Sequence, residues 1–184
     1  MFRRLIEDLR ARSPLERDSS EIGALLAACR DDWPSVQPLP SRPGAYTRTC
    51  VYRDARFEVL LLNWAPGAAS AIHDHGDQHC WMLVLDGQLE VEDYVRLDPG
   101  DVPGYAHVER RGSRTLDAGG MDLRSGRFDL HRVSATNWWP AVSLHVYCGP
   151  MRKFLIYDEY ARRCEIALGT YDKILSVNSE PALR

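Results

Sequence analysis

Long apolar runs are missing from this chain, as are the signals that would send it to a membrane, a nucleic acid or an oxidising compartment. No stretch approaches the roughly 20 apolar residues that a membrane-spanning helix requires. The first ten residues mix acids with apolar side chains and lack the apolar centre of a secretory leader, so none is expected. A surplus of one charge is also missing. The 23 basic and 26 acidic residues leave a net charge of -3, which gives no field to draw in nucleic acid or an anionic bilayer. Lysine is scarce, with only Lys153 and Lys173 among the basic residues. The cysteines (Cys29, Cys50, Cys80, Cys148, Cys164) are odd in number, scattered and without a C-x-x-C pair. That argues against a disulfide framework and predicts a reducing, cytoplasmic setting. There is no internal repeat and no low-complexity tract.

What is present is the material of a globular domain. A chain of 184 residues with 45% hydrophobic and 27% charged side chains can bury a substantial core. Leu5, Ile6 and Leu9 form a short helical stripe that Ser13-Pro14 interrupts. A second helix is predicted from near Asp18, with Glu21 as its capping-box partner and Ile22, Leu25, Leu26 and Cys29 as its apolar face. The proline-rich run from Trp33-Pro34 to Pro43-Gly44 is a connector.

From Tyr46 the period changes to that of strands. Strands are predicted at Phe57 to Leu62, Trp81 to Leu85, Gln88 to Tyr94, Phe128 to Ser134, Ala141 to Tyr147, Phe154 to Tyr157 and Cys164 to Thr170. Asp86-Gly87 between two apolar runs reads as the turn of a hairpin. Leu97 to Asp101 is another turn, and Val102 to Arg127, polar and without a period, is expected to hold loops and short strands. Many short strands with frequent turns imply an all-β sandwich or barrel. The expected organisation is one domain over 1–184, with a helical segment and connector at 1–44 packed outside a barrel at 45–175.

The most informative run is Trp64 to Cys80, which contains His73-Asp74-His75. Side chains two apart on a strand share a face, and two neutral imidazoles on one face can share a divalent metal. Gly67 lies six residues before His73, Cys80 five after His75, and Gly87 seven after Cys80. This spacing resembles the first motif of the cupins, with Cys80 where that motif has a glutamate ligand. Asp74 points away from the paired histidines and reads as a turn or supporting residue. A third ligand has to come from another strand, and His131 in Asp129-Leu130-His131-Arg132-Val133 is the best candidate. His79 adjoins the motif, and His107 lies in the polar segment.

His145 follows a different logic. Period two puts Ser143, His145 and Tyr147 on one face of their strand and Val142, Leu144 and Val146 on the other. The polar face either meets water or lines a cavity. In a cavity the three side chains can hydrogen-bond in series and fix the tyrosine hydroxyl.

Five blocks now stand in order: Tyr46-Thr47-Arg48, Ser70 to His75, His79-Cys80, Leu130-His131-Arg132-Val133 and Pro140 to Tyr147. Together they resemble the cysteine dioxygenases, thiol dioxygenases of the cupin superfamily. The resemblance covers about the central hundred residues and implies a cupin-type β-barrel, a double-stranded jelly roll. It also implies that His73, His75 and His131 hold one Fe(II), that Arg48 pairs with a substrate carboxylate, and that Tyr46 lines the pocket beside it. Tyr147 would place its hydroxyl next to the reacting thiol and oxygen, with Ser143 and His145 behind it, and Cys80 would form a thioether with Tyr147. The implied partners are a small thiol and O2. The oligomeric state is open, with a monomer as the default.

The chemistry of the donors is compatible with this. Three neutral imidazoles leave a ferrous ion its full charge, so an anionic thiolate can supply the missing negative ligand. Zinc also accepts three histidines and water. Arginine at position 48 favours cysteine over 3-mercaptopropionate, whose dioxygenases generally carry glutamine there. One departure concerns substrate choice. Members of the family specific for cysteine commonly have Ser-Pro-Pro after the tyrosine, whereas this chain has Tyr147-Cys148-Gly149-Pro150. A cis X-Pro bond at that first position is therefore unavailable. A non-catalytic cupin that binds a ligand or metal is the alternative from another class, since a fold is not a function.

Overall fold

The structure is a computed structural model, and it describes residues 2–30, 41–126, 128–136 and 138–175. Two helices come first, α1 (Arg3–Ala11) and α2 (Ser19–Ala28). Asp18 caps α2: its carboxylate accepts from the Glu21 amide at 2.9 Å, and Glu21 returns the bond to the Asp18 amide at 3.1 Å. Most of the proline-rich connector lies outside the described residues.

Among the described residues twelve strands follow: β1 (Tyr46–Arg53), β2 (Glu58–Trp64), β3 (Ile72–His73), β4 (His79–Asp86), β5 (Gln88–Arg96), β6 (Val108–Asp117), β7 (Met121–Ser125), β8 (Leu130–Ala135), β9 (Ala141–Tyr147), β10 (Lys153–Asp158), β11 (Arg163–Leu168) and β12 (Lys173–Ile174). They form two six-stranded sheets, in the orders β12-β1-β2-β9-β4-β7 and β11-β10-β3-β8-β5-β6. This is the jelly roll expected from the sequence. Among the described residues no helix is long and apolar enough to cross a membrane.

Burial explains which runs look continuous. The first sheet is covered on both faces. Val59, Leu61, Leu83, Leu144 and Val146 pack outward against Leu5, Leu9, Ile22 and Leu26 of the helices. Leu60, Leu62, Met82 and Val84 pack inward against Val91 and Val133 of the second sheet. A strand buried on both sides loses its polar alternation, as Leu60-Leu61-Leu62 shows.

Two expectations fail. Asp86-Gly87 does not close a hairpin: β4 pairs with β7 and β9, whereas β5 pairs with β6 and β8. The turn carries the chain from one sheet to the other. Gly87 has φ +73°, and a Cβ there would lie 2.4 Å from the Pro140 carbonyl oxygen, so this corner requires glycine. The Asp-Gly signal locates a sharp turn, but the burial of both faces of β4 decides its partners. The polar segment from Val102 is also more regular than expected. It contains the ten-residue β6, whose outward face is solvated because β6 lies at a sheet edge.

Candidate active site

Backbone position aims each of the three histidines, and a bond on the far nitrogen holds the rings of His73 and His131. His73 on β3 stands opposite His131 on β8 in register, and His75 follows on the turn after β3. The ligating atoms of the three lie within 4.8 Å of one another. His73 Nδ1 donates to the Ala71 carbonyl at 2.9 Å, and His131 Nδ1 donates to Asp122 Oδ2 at 3.0 Å. Both protons are thereby placed on Nδ1, and the two Nε2 atoms face each other at 3.3 Å as bare lone pairs. Such a pair repels unless a positive centre lies between. His75 Nδ1 is buried with no hydrogen-bond partner among the described residues.

Burial, the largest cause in each case, keeps these rings neutral. It lowers His73 to about 4, opposed by the bond to Ala71 and helped by Arg48 and Arg124, and it lowers His75 and His131 well below the ordinary value, where the neighbouring histidines and Arg124 add to the shift. Neutral imidazole is the ligand form, so the donor set fits a divalent metal. Asp74 is buried beside this group but turned away. It accepts from the Gly76 amide at 3.1 Å, the Leu155 amide at 2.9 Å and the Tyr157 hydroxyl at 2.9 Å, so it shapes the turn.

Asp122 was not singled out from sequence, because it lies in the polar segment without a period. It is buried and also takes Arg124 Nε at 2.8 Å and the Arg114 guanidinium. Arg124 continues to Asp129 at 2.8 Å and Asp93 at 2.6 Å. Burial works against its charge, but the three carboxylates hold its pKa above the usual arginine value. A carboxylate that orients a ligating imidazole typically contributes about 10- to 100-fold in metal affinity. Asp122→Asn is therefore expected to weaken metal binding by about that factor, measured by titration against a competing chelator. Unchanged affinity in a folded variant would remove Asp122 from the site.

The cavity next to the histidines measures about 100 Å³. Arg48, Tyr46, Trp64, His145 and Tyr147 line it together with apolar side chains that include Leu62, Val133 and Phe154. The polar face of β9 thus meets a cavity and not bulk water. Tyr46 stacks on Trp64 with ring centroids 4.5 Å apart. Arg48 Nε and Nη2 are buried and unpaired among the described residues. A desolvated guanidinium with free donors is costly unless an anion meets it.

The bonds along β9 have a direction. Trp64 Nε1 can only donate, and it donates to Ser143 Oγ at 2.9 Å. Ser143 Oγ lies 2.9 Å from His145 Nε2, and with the hydroxyl proton given to that nitrogen the bonds continue in one direction from Trp64. Burial, then the positive charge of Arg48, pushes His145 down to about 3, so the ring is neutral with its proton on Nδ1. That nitrogen faces Tyr147 Oη at 3.5 Å and Cys80 Sγ at 3.9 Å. Tyr147 accepts, and its own hydroxyl proton is directed toward the Cys80 sulfur beside it. Trp64, the origin of this direction, was read from sequence only as part of the run leading to the histidines.

Cys80 on β4 lies directly opposite Tyr147 on β9 in register. Burial raises the Cys80 thiol, and the Tyr147 hydroxyl bonded to it lowers it in part. Of the other residues considered from sequence, His107 lies outside the site, 3.8 Å from Glu109. His79 stacks on the buried Trp81. Gly149, where the sequence departs from Ser-Pro-Pro, has φ +104°, a conformation proline cannot adopt. The turn it makes brings Met151 to the cavity wall.

The family described as Cysteine dioxygenase type I matches residues 15–160. Cysteine dioxygenase type 1 of Danio rerio is 33% identical over 116 residues, 62% of this chain and 56% of that protein. The corresponding protein of Homo sapiens is 29% identical over the same coverage. The matched stretch thus spans little more than half the length of these curated relatives. Among solved structures, an uncharacterized conserved protein with a double-stranded β-helix domain from Klebsiella pneumoniae subsp. pneumoniae aligns with a TM-score of 0.49 and 18% identity. It covers 70% of this chain and 94% of that one.

Proposed function

This chain belongs to the cysteine dioxygenase type I family, and on that premise we propose that it is an Fe(II) thiol dioxygenase that oxidises L-cysteine with O2 to cysteine sulfinic acid. The observation that carries the proposal is one small cavity bounded by three groups: the neutral histidine cluster, an unpaired Arg48 guanidinium and the Tyr147 hydroxyl. Both oxygen atoms end on sulfur, and the electrons sulfur loses are those dioxygen gains, so no external reductant is needed.

Iron held by His73, His75 and His131 would supply Lewis acidity toward the thiol and redox chemistry toward dioxygen. The protein contributes position and charge. Arg48 takes the carboxylate through its planar fork, which sets the thiol end toward the histidines. Tyr147 would offer its hydroxyl proton where negative charge develops on oxygen, with His145, Ser143 and Trp64 bonded in series behind it. Leu62, Val133 and Phe154 keep water from the reacting atoms. Cys80 stands in register to form a thioether with the Tyr147 ring, which would lock that ring at the cavity edge. The five scattered cysteines, odd in number and without a C-x-x-C pair, favour a reducing, cytoplasmic setting.

One preparation tests these points together. Metal content is measured, then oxygen uptake is followed with L-cysteine, 3-mercaptopropionate and cysteamine, and Cys80 is alkylated under denaturing conditions after turnover. Iron, stoichiometric uptake with cysteine and sulfinate as product are expected, with a growing fraction of Cys80 resistant to alkylation and a mass lower by two hydrogens. Preference for 3-mercaptopropionate would change the substrate but not the reaction. Zinc with no uptake would sink the dioxygenase proposal. Cys80 fully alkylatable after many turnovers would remove the thioether alone.

A further inference from the structure

Behind Arg48 lies a group of side chains that the histidine end of the cavity does not use. Glu58 on β2 is fully buried. One of its carboxylate oxygens accepts from the Met151 amide at 3.1 Å, and the other accepts from the Tyr171 hydroxyl. Tyr171 precedes β12, and the next residue ties this segment to β1. The Asp172 carboxylate accepts from the Arg48 amide at 2.7 Å, and the Asp172 amide donates to the Arg48 carbonyl at 2.9 Å. The Tyr171 ring therefore sits against two guanidinium groups, with its centroid 5.8 Å from Arg48 Cζ and 5.5 Å from Arg53 Cζ.

A cation that must meet a carboxylate has to be oriented without being neutralised. A direct ion pair with Glu58 would orient Arg48 but occupy its donors, and among the described residues no such pair exists. An aromatic face attracts a guanidinium through its quadrupole and leaves the N–H groups free. Glu58 fixes the ring by its hydroxyl and keeps a negative charge one side chain away from two arginines. Burial raises the Glu58 carboxyl, while the Tyr171 hydroxyl, the Met151 amide and the two arginines oppose that shift.

We propose that Tyr171, pinned by Glu58, is a positioning residue that holds the Arg48 guanidinium toward the cavity and so sets the preference for thiols that carry a carboxylate. The proposal rests on Arg48 as the carboxylate partner. Because Glu58 also holds the Met151 amide, one buried carboxylate joins the C-terminal segment, the cavity wall and the arginine.

The test uses the iron-loaded full chain with Tyr171→Leu, Tyr171→Phe and Arg48→Ala. Steady-state KM and kcat are measured for L-cysteine and cysteamine, with metal content and the anaerobic calorimetric Kd for L-cysteine alongside. Tyr171→Leu is expected to raise KM and Kd for cysteine about two- to thirtyfold, with kcat, metal content and the cysteamine KM unchanged. Tyr171→Phe keeps the ring but loses the hydroxyl that Glu58 holds, and is expected to recover only part of the affinity. If Tyr171→Leu does not fold, Tyr171→Met removes the same ring with a longer side chain. A fall in kcat for both thiols, or loss of metal, overturns the positioning role in favour of a general structural one. An unchanged cysteine KM in Tyr171→Leu, in a protein where Arg48→Ala abolishes discrimination, overturns the role of Tyr171 alone. A wild type that does not discriminate between the two thiols overturns the assignment of Arg48 as well.

Discussion

His131→Ala is expected to abolish metal retention and turnover together, while the protein stays folded. Four-ligand structural zinc sites bind with about 10–16 kcal/mol, so an average ligand contributes on the order of 3 kcal/mol, or two decades of affinity. In a three-ligand site that loss leaves two imidazoles. The effect separates cleanly from folding, because Asp122 keeps its bonds to Arg114 and Arg124 without the imidazole. Two controls sharpen the result. His107→Ala, outside the site beside Glu109, and His145→Ala, which lines the cavity but is not in the cluster, should both retain metal. Metal analysis after desalting, paired with oxygen uptake, reads all three. Full metal content and turnover in His131→Ala would mean that the third ligand is elsewhere.

Arg48→Ala is expected to cost about 1.5–3 kcal/mol of affinity for thiols bearing a carboxylate, or about ten- to a hundredfold. Cysteamine, which lacks the carboxylate, should lose little. Arg48→Lys should restore only part of the difference, because an ammonium is a point charge that cannot form the two parallel bonds of a guanidinium. The comparison is made in kcat/KM, since discrimination between substrates is the ratio of those values. Better turnover of cysteamine than of cysteine by the wild type would show that Arg48 has another role.

The sequence disclosed those parts of the site whose chemistry shows at short range. His73 and His75 converge as their spacing implies, although His75 lies on the turn after β3, and β9 spans the range read from its alternation, because its cavity face is polar and its other face meets the helices. The rest depends on partners far along the chain. Glu58 sits in an apolar run and reads as a strand residue. Its role emerges only when Met151 and Tyr171, 93 and 113 positions away, fold against it. Asp122 and Arg124 lie in a segment with no hydrophobic period, since β7 is itself an edge strand whose alternate side chains are exposed. Asp86-Gly87 gave the turn but not the pairing, because a local dipeptide carries no information about which sheet the next strand joins.

The two-residue length of β3 leaves a narrow seam in the second sheet. In the second sheet β3 is the only strand between the β10-β11 ladder and the β8-β5-β6 ladder. On one side it pairs through Ile72 and His73, and on the other through His73 and His131 alone. Just before it the regular ladder gives way to improvised bonds: the Ser70 amide donates to the Val133 carbonyl, and the Ser70 hydroxyl, in place of a carbonyl, accepts from the Val133 amide. The Gly67 amide donates to the Thr136 carbonyl and the Ala135 amide to the Ala68 carbonyl, so irregular bonds carry the contact with β8 beyond the two residues of β3. The histidines of the candidate ligand set flank that seam, so an ion shared among them would act as a rivet, fastening β3 to β8 where the regular ladder is shortest.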